Sequence, residues 1–229
     1  MIKLTNVTKK YGSRTALNQV DLELDQGKLI GLVGENGSGK STTLKLIAGL
    51  IHPTSGEITV NGEKVNRQIA SSVAYLSELD EYYRFFTVKD AIEFHASQFA
   101  DFDIEKAYEI MDFMKLEPEK KLKHLSKGNR GRVKIVLTLA RHTPVVLMDE
   151  PFSGLDPMVR NSIVKGLISF VDLEKQLILI TTHEIREIEN ILDEVVAIKD
   201  GHIIGHHNVD DLRKENQLSI VDWMNEIYG

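Results

Sequence analysis

One eight-residue segment has the residue types and the spacing that phosphate chemistry needs. Gly34 to Ser41 fits the pattern G-x-x-x-x-G-K-[ST]. Its glycines allow a tight turn whose backbone N–H groups can surround phosphate oxygens. Lys40 would place its ammonium on the β- and γ-phosphates of a nucleoside triphosphate, and the Ser41 hydroxyl would ligate Mg²⁺. The residues predicted to contact the triphosphate are Gly34, Glu35, Asn36, Gly37, Ser38, Gly39, Lys40, Ser41 and Thr42.

The elements on either side of this segment must hold it in place. The apolar run at 28–33 predicts a buried strand that leads into the glycines, and a helix is expected from about Lys40 to Leu50. A helix that begins there adds the positive end of its dipole to the anion site. The alternative is an ordinary glycine-rich turn, and the flanking strand and helix argue against it.

A second candidate site lies about 110 residues further along the chain. Four apolar residues, 145–148, precede Asp149 and Glu150, which predicts a buried strand that carries acids to its carboxyl end. In an open α/β sheet, ligands bind at that edge. Asp149 could hold Mg²⁺ through its water shell, and Glu150 could polarise a water for attack on the γ-phosphate. A solvated strand end is the alternative for the two acids alone.

Composition excludes several classes of protein. The 229 residues carry a net charge of −6, which gives no electrostatic footprint for binding nucleic acid. No apolar run approaches 18 residues, and the first residues lack the apolar stretch of a secretory signal. Without cysteines the chain can form neither disulfides nor thiolate metal sites, which fits a reducing compartment. We expect a cytosolic protein.

Short apolar runs alternate with helical stretches, which favours a mostly parallel sheet between helices. The clearest buried strands are predicted at 28–33, 145–149 and 177–181. Alternating segments near the start, at 2–7, 20–24 and 57–60, predict an antiparallel β edge, with a turn at Asn61-Gly62. A second hairpin is expected at Asp200-Gly201.

Apolar residues at helical spacing between about 80 and 142 predict an inserted helical subdomain. The predicted organisation is an α/β core at 1–79 and 143–208, a helical subdomain at 80–142 and a helical tail at 209–229. The tail is expected to dock through one apolar face, which carries Ile220, Trp223, Met224 and Ile227.

Further motifs stand in a specific order along the chain. Leu125-Ser126-Lys127-Gly128-Asn129 precedes a predicted helix at 132–141, Ser153 to Asp156 follows the acidic strand, and His183 follows the strand at 177–181. With the two motifs above, these segments resemble the nucleotide-binding subunit of an ATP-binding cassette (ABC) transporter over essentially the whole length. The resemblance implies a P-loop NTPase core of ABC type, ATP and Mg²⁺ as cofactors, and ATP hydrolysis.

The resemblance also implies how the sites are assembled. Two such subunits, a homodimer or a heterodimer with a second ABC ATPase, would pack head to tail. His183 would contact the γ-phosphate, Glu150 would be the base, and Tyr11 would stack on adenine. An integral-membrane permease would be the other partner, at the inner face of the cell membrane, and the cassette is most similar to bacterial exporters. The residues that would act on the nucleotide of the other subunit are Leu125, Ser126, Lys127, Gly128, Asn129 and Asp156.

Two departures from the family pattern bear on the chemistry. Glu78 stands where the family usually has a glutamine that meets Mg²⁺ and the attacking water. A carboxylate can bind Mg²⁺ but cannot donate a hydrogen bond as an amide does, so the metal role transfers more readily than the orientation of water. The family signature LSGGQ reads Leu-Ser-Lys-Gly-Asn here. Lys127 could approach the triphosphate or face solvent, and we favour solvent.

A group of aromatic residues follows Glu78. Four rings around Arg84 are too many to bury easily in a short loop, and aromatic and arginine residues are enriched in protein interfaces. In the family a short helix of the membrane subunit docks beside this loop. The residues predicted to line that surface are Tyr82, Tyr83, Phe85 and Phe86. The alternative is that two or more of them close the core of the helical subdomain.

Other signals are weaker. A soluble ABC ATPase that acts on DNA or ribosomes is the second functional hypothesis, but it would carry coiled-coil insertions or a second cassette. His202, His206 and His207 invite a metal site, yet no nearby acid or cysteine is evident, so a solvated hairpin is favoured. The charged run at 184–189 is expected to form a solvated helix face.

Overall fold

The computed structural model describes residues 1–79, 83, 85–183, 185–215 and 218–228. Within these residues the chain forms two sheets and seven α-helices. The strands, numbered β1 to β10, are Ile2–Tyr11, Arg14–Leu24, Leu29–Val33, Ser55–Val60, Glu63–Lys64, Val73–Leu76, Val145–Asp149, Leu177–Thr182, Glu194–Lys199 and His202–Asn208. The helices, numbered α1 to α7, are Lys40–Ile47, Val88–Gln98, Ile104–Phe113, Lys127–Leu139, Pro157–Phe170, Val209–Glu215 and Ile220–Tyr228.

The larger sheet is mostly parallel. Its strand order is β10-β9-β3-β8-β7-β6, and only the β9–β10 pair is antiparallel. Every residue of β3, β7 and β8 is buried, because helices and the second sheet cover both faces. The carboxyl ends of these three adjacent strands therefore meet at one edge. The predicted α/β fold with its three central strands is confirmed.

The smaller sheet is antiparallel, with the order β2-β1-β4-β5. The predicted segments at 2–7, 20–24 and 57–60 lie in β1, β2 and β4, but the first two strands are much longer than predicted. Asn61 and Gly62 both have positive φ, as a tight hairpin turn requires. The extension of β1 brings Tyr11 to the hairpin with β2, so Tyr11 lies at the end of a strand.

Two helix bounds differ from the prediction. Helix α1 ends at Ile47, three residues early, because Gly49 adopts the left-handed conformation that terminates helices. Helix α4 begins at Lys127 and not at 132, since the Ser126 hydroxyl accepts from the Asn129 N–H and caps it. The described residues of the charged run at 184–189 form short 3₁₀ helices and not a helix face. Glu184 lies outside the described residues.

The tail packs on the larger sheet. Ile220 and Trp223 of α7 are buried, and Met224 and Ile227 pack against the same core, as predicted. The Trp223 ring lies against Gly205 of β10, where a Cβ atom would meet it at 2.5 Å. The Tyr228 hydroxyl donates to the Ile198 carbonyl (2.9 Å), next to the end of β3. Across the described parts of the chain, every helix is too short or too polar to cross a membrane.

Candidate functional site

The glycine-rich loop runs from the end of β3 to the first residue of α1. Gly39 has a φ of 121°, and a Cβ atom there would lie 2.8 Å from the Ala16 carbonyl. A side chain is therefore excluded by both conformation and space. The Ser38 hydroxyl oxygen is buried without a hydrogen-bond partner in the described part of the chain. A buried polar atom of this kind needs a partner, which an anionic ligand in the loop would provide.

Lys40 is almost completely buried at the base of this loop. Its ammonium donates to the carbonyls of Gly34 (2.7 Å) and Glu35 (3.1 Å), so both residues hold the lysine in place. The Glu150 carboxylate lies 3.9 Å away. Burial lowers the Lys40 pKa, while the charges of Glu150, Asp149 and Glu78 oppose that shift. An anion that approaches this ammonium would stabilise its charged form.

The Asp149 carboxylate joins three elements at the sheet edge. Three hydroxyl groups donate to it: Ser41 at 2.8 Å, Thr181 at 2.9 Å and Tyr75 at 3.1 Å. Asp149 is 2% exposed, so these bonds offset the cost of burying the carboxylate. The predicted pair of Ser41 and Asp149 thus lies together.

Glu150 and His183 form a second pair beside Lys40. The Glu150 backbone has a φ of 48°, unusual for a residue of this size, and turns the chain directly after β7. Its N–H donates to the Thr181 hydroxyl (3.0 Å), which fixes the turn. One Glu150 carboxylate oxygen lies 2.8 Å from His183 Nδ1. Because that oxygen only accepts while Glu150 is ionised, Nδ1 carries the proton.

Lys40, Ser41, Glu150 and His183 line one open cleft of about 580 Å³, and Asp149 lies behind Ser41. Most of the predicted nucleotide residues border it, including Tyr11, whose ring is about half exposed at the rim. Glu78 also borders the cleft, opposite the phosphate loop. The residues that line it are Tyr11, Arg14, Ala16, Asn36, Gly37, Gly39, Lys40, Ser41, Thr42, Glu78, Glu150, Ser153 and His183.

Sequence reasoning assigned no role to four of the residues that build this site. Arg14 borders the cleft and reaches the Gly37 carbonyl at 3.4 Å, and Ser153 closes one side. Tyr75 and Thr181 hold Asp149. Thr181 could have been found, because a threonine at the end of an apolar strand is directly opposite Asp149 in the register of β7 and β8.

The oxygens of the cleft suit a hard cation. Ser41, Asp149 and Glu78 offer hydroxyl and carboxylate oxygens, the ligand type of Mg²⁺. Mg²⁺ keeps several waters and is usually bound by few protein ligands together with substrate phosphates.

The signature segment lies apart from this cleft. Leu125 is buried, Ser126 caps α4, and Asn129 accepts from Arg132. A Cβ atom on Gly128 would lie 2.9 Å from the Val159 side chain, so α4 and α5 approach closely at this point. Asp156 caps α5 by accepting from the N–H groups of Met158 and Val159 (both 3.0 Å). None of the five signature residues borders the nucleotide cleft.

Lys127 is exposed to solvent, the position favoured from the sequence, and it also contacts a neighbouring loop. Its side chain is exposed, but its ammonium lies so close to Gly154 that a Cβ atom there would meet it at 2.3 Å. Lys127 also borders a cavity of about 270 Å³ that Glu78, Glu150 and Ser153 line from the other side. The lysine therefore covers the loop that leads to Asp156 in its own chain.

The aromatic residues after Glu78 form a surface cluster. Tyr83 and Phe85 are exposed, while Phe86 is half-buried and packs on the core. Their ring centroids are 5.0–5.6 Å apart, and Phe94 of α2 extends the group. Tyr82 and Arg84 lie outside the described residues.

The three histidines of β10 do not form a joint site. Contrary to the expectation that no acid is near, His206 Nε2 lies 2.8 Å from a Glu194 carboxylate oxygen. His202 contacts Asn18, and His207 packs on Trp223. Glu194 is buried, which would raise its pKa, but hydrogen bonds from Lys28 and His206 outweigh burial and lower it. Glu194 and its two partners, Lys28 and His206, therefore form a structural polar cluster at the β9–β10 hairpin.

Comparison with known proteins gives consistent matches. The family profile described as "ABC transporter" matches residues 17–153. An uncharacterized ABC transporter ATP-binding protein of Methanocaldococcus jannaschii is 32% identical, with 96% of this chain and 83% of that protein covered. A bacitracin transport ATP-binding protein of Bacillus licheniformis is 29% identical, with 95% of this chain and 72% of that protein covered.

Solved structures are also similar. The structure of an ATP-binding subunit of an ABC transporter matches with a TM-score of 0.84 and 26% identity, covering 100% of this chain and 98% of that one. A dimeric ATP-binding cassette in a post-hydrolysis state, bound to ADP and Pi, matches with a TM-score of 0.81 and 26% identity, covering 91% and 99%.

Proposed function

Since this chain belongs to the ABC transporter family and is an ATPase of that type, we propose that it hydrolyses Mg²⁺-bound ATP to drive transport through a separate membrane-spanning partner. One observation carries the proposal. Lys40, Ser41, Glu150 and His183 line a single cleft at the carboxyl edge of the larger sheet, and Asp149 lies behind them, bonded to Ser41. Each of the five bonds to another member or to the phosphate loop.

The proposed chemistry follows from the contacts of these side chains. ATP would replace the loop carbonyls as the partner of the Lys40 ammonium and would receive the N–H groups at the start of α1. Glu150 would accept a proton from the attacking water, in line with the γ-phosphate. His183, held by Glu150 through Nδ1, would present its other nitrogen toward the same phosphate.

Mg²⁺ would be held by Ser41, Asp149 and Glu78. When bound, it would neutralise charge on the β- and γ-phosphates. The Asp149 carboxylate is fixed in advance by Tyr75 and Thr181, so it can act without rearrangement. Glu78 borders the cleft and supplies a carboxylate where the family usually has an amide.

The proposed working unit is a dimer, either of two copies of this chain or of this chain with a second ABC ATPase. Each phosphate loop would face the signature of the other subunit, whose contributing residues would be Leu125, Ser126, Lys127, Gly128, Asn129 and Asp156. Two features support this arrangement. The signature residues do not border the cleft of their own chain, and a related cassette has been solved as a dimer.

The proposed partner is an integral-membrane permease, and the proposed location is the inner face of the cell membrane. The exposed rings of Tyr83 and Phe85 would form part of the docking surface, with Phe86 supporting them from below. We propose export of a drug or peptide antibiotic. Two relatives are named for bacitracin transport, while others of similar identity are named for glycine betaine or carnitine transport.

The dimer can be tested with the purified chain. If sites are shared, the ATPase rate per chain should rise with chain concentration, and sedimentation should show a dimer only with Mg²⁺ and a non-hydrolysable ATP analogue. A rate per chain that stays constant from nanomolar to micromolar concentration, with a monomer throughout, would contradict shared sites between two copies.

The docking surface needs a test with the membrane partner present. In proteoliposomes, Tyr83→Ala and Phe85→Ala together should reduce ATP-driven transport about tenfold, in the range of an interface anchor. The basal ATPase rate of the isolated chain should stay within about twofold. Phe113→Ala, at an exposed ring on α3, is the matched control. Loss of folding in the double variant would instead favour a core role, and co-sedimentation with ribosomes would favour the soluble alternative.

A further inference from the structure

Helix α4 buries a positive charge within a segment of mostly apolar residues. Its residues Val133 to Leu139 are all buried, and Lys134 is the charged member of that run. Lys134 is only 8% exposed. Burying an ammonium costs several kcal/mol unless hydrogen bonds compensate, so the partners of this lysine decide what it does.

Two partners of Lys134 lie just after β6. Its ammonium donates to the carbonyls of Glu78 (2.7 Å) and Ser77 (3.1 Å), two consecutive residues that follow the strand. Strand pairing ends at Leu76, so these two carbonyls have left the ladder of the sheet. Lys134 therefore fixes the backbone at the point where the Glu78 side chain turns into the nucleotide cleft.

Lys134 also stands between two cavities. One, of about 340 Å³, opens between the core and the helices and is bordered by Leu50, Leu79 and Phe99. The other, of about 270 Å³, is bordered by Lys127, Glu78 and Glu150 on the nucleotide side. A displacement of α4, which begins at Lys127, must move the two carbonyls or break their bonds.

We propose that Lys134 is a positioning residue for Glu78: by binding the carbonyls of Ser77 and Glu78, it places the Glu78 carboxylate in the cleft and ties it to helix α4. The inference rests on the proposed role of Glu78 toward Mg²⁺. It also explains how the Glu78 carboxylate could be kept in the cleft, because the Lys134 ammonium binds the backbone carbonyl of the same residue.

The test uses three changes on the same helix. Lys134→Met keeps the length of the side chain and removes its charge, Lys134→Arg restores a cationic donor, and Thr138→Val alters a buried neighbour one turn away. Binding of a fluorescent ATP analogue would be measured with and without Mg²⁺ in the Glu150→Gln background, so that hydrolysis does not contribute. Hydrogen exchange at residues 76–79 of the nucleotide-free chain gives a readout without any ligand.

In Lys134→Met, the Mg²⁺ concentration that half-saturates the stimulation of nucleotide binding should rise about tenfold, as for other residues behind a metal ligand. Binding without Mg²⁺ should change less than twofold, and exchange at 76–79 should become faster. Lys134→Arg should recover most of the Mg²⁺ response, and Thr138→Val should resemble the parent. If Lys134→Met does not fold, Lys134→Gln, whose uncharged amide keeps two N–H donors, should show the same changes at smaller size.

A double-mutant cycle separates positioning from general packing. In a Glu78→Ala chain, Lys134→Met should have no further effect on the Mg²⁺ response. Additive effects, or an unchanged Mg²⁺ response in Lys134→Met alone, would overturn the inference. If Glu78→Ala itself leaves the Mg²⁺ response unchanged, the role proposed for Glu78 is wrong, which is a distinct failure.

Discussion

The phosphate-loop edge and the signature segment differ in where their polar groups find partners. At the edge, Lys40, Asp149, Glu150 and His183 bond to one another and to the loop, across three strands and a helix. In the signature segment, Ser126 binds the first turn of its own helix. The first region is a preorganised site within one chain, whereas the second is a well-formed helix end whose residues do not border the same cleft.

This difference indicates which properties belong to one chain. In the proposed mechanism, nucleotide binding and the alignment of Glu150 as the base would depend on contacts that a single chain already makes. The signature residues do not border the cleft of their own chain, so they would act on an anion bound in the other subunit. Substitutions in the first region should therefore act within a chain, and those in the second should act on a partner.

The largest expected effect is at Glu150. Glu150→Gln keeps the size of the side chain but removes the base, so the ATPase rate should fall about 10³-fold, within the range of general base catalysis. ATP affinity should change little because Lys40 and the loop remain. Phosphate release and nucleotide binding are the measurements, with Glu109→Gln on the exposed face of α3 as control. An unchanged rate would exclude Glu150 as the base.

Lys40→Ala should act on binding. The loss of a charge-assisted contact to phosphate costs about 2–3 kcal/mol, or about 100-fold in ATP affinity. Lys45→Ala, on the same helix, is the control, and titration calorimetry is the measurement.

The binding of ATP should also depend on pH through Lys40. Since burial lowers the Lys40 pKa and bound phosphate raises it, binding at alkaline pH should take up a proton. ATP affinity should therefore fall as pH rises through the lowered pKa of the nucleotide-free chain.

Ser126→Ala tests the second region. Its ATPase rate should fall about tenfold through loss of a hydroxyl to phosphate. A mixture with Lys40→Ala chains should be faster than either variant alone, because a mixed head-to-tail dimer regains one intact site. Thr87→Ala removes a similar helix cap, from α2, and controls for lost stability. If mixing gives no gain in rate, the signature would act within its own chain, which would contradict the proposed difference between the two regions.

The smallest expected effect is in the tail. The Tyr228 hydroxyl bonds near the start of the phosphate loop, and Tyr228→Phe should lower the free energy of unfolding by about 1 kcal/mol. Burial raises the Tyr228 pKa to about 12, so its stabilising contribution should be complete below pH 10 and lost as pH rises toward 12. Urea unfolding between about pH 10 and 12 should show this loss of stability in the parent and in the control Tyr108→Phe, but not in Tyr228→Phe.

Local motifs predicted which residues of the first region lie together, because a glycine loop and two acids after a strand define their own geometry. The start of α4 could not be predicted in the same way. Gly128 and Gly131 lower helix propensity there, yet the Ser126 cap and the close packing of Gly128 on Val159 extend the helix. The roles of Tyr75 and Lys134 depend on contacts 74 and 56 residues away in sequence.

The histidine hairpin shows a further limit of sequence reasoning. Strict alternation placed His202 and His206 on one face, but an irregularity between Ile203 and Gly205 interrupts the register. His206 consequently meets Glu194, an acid 12 residues earlier on the neighbouring strand. Alternation predicts a face only while the pairing stays regular.

The contact of Gly128 with Val159 has a mechanical consequence. The first turns of α4 and α5 pack closely here, because no side chain separates the Gly128 backbone from Val159. We therefore expect the two capping residues, Ser126 and Asp156, to move together. A force applied at one of these helix tips would then be transmitted to the other.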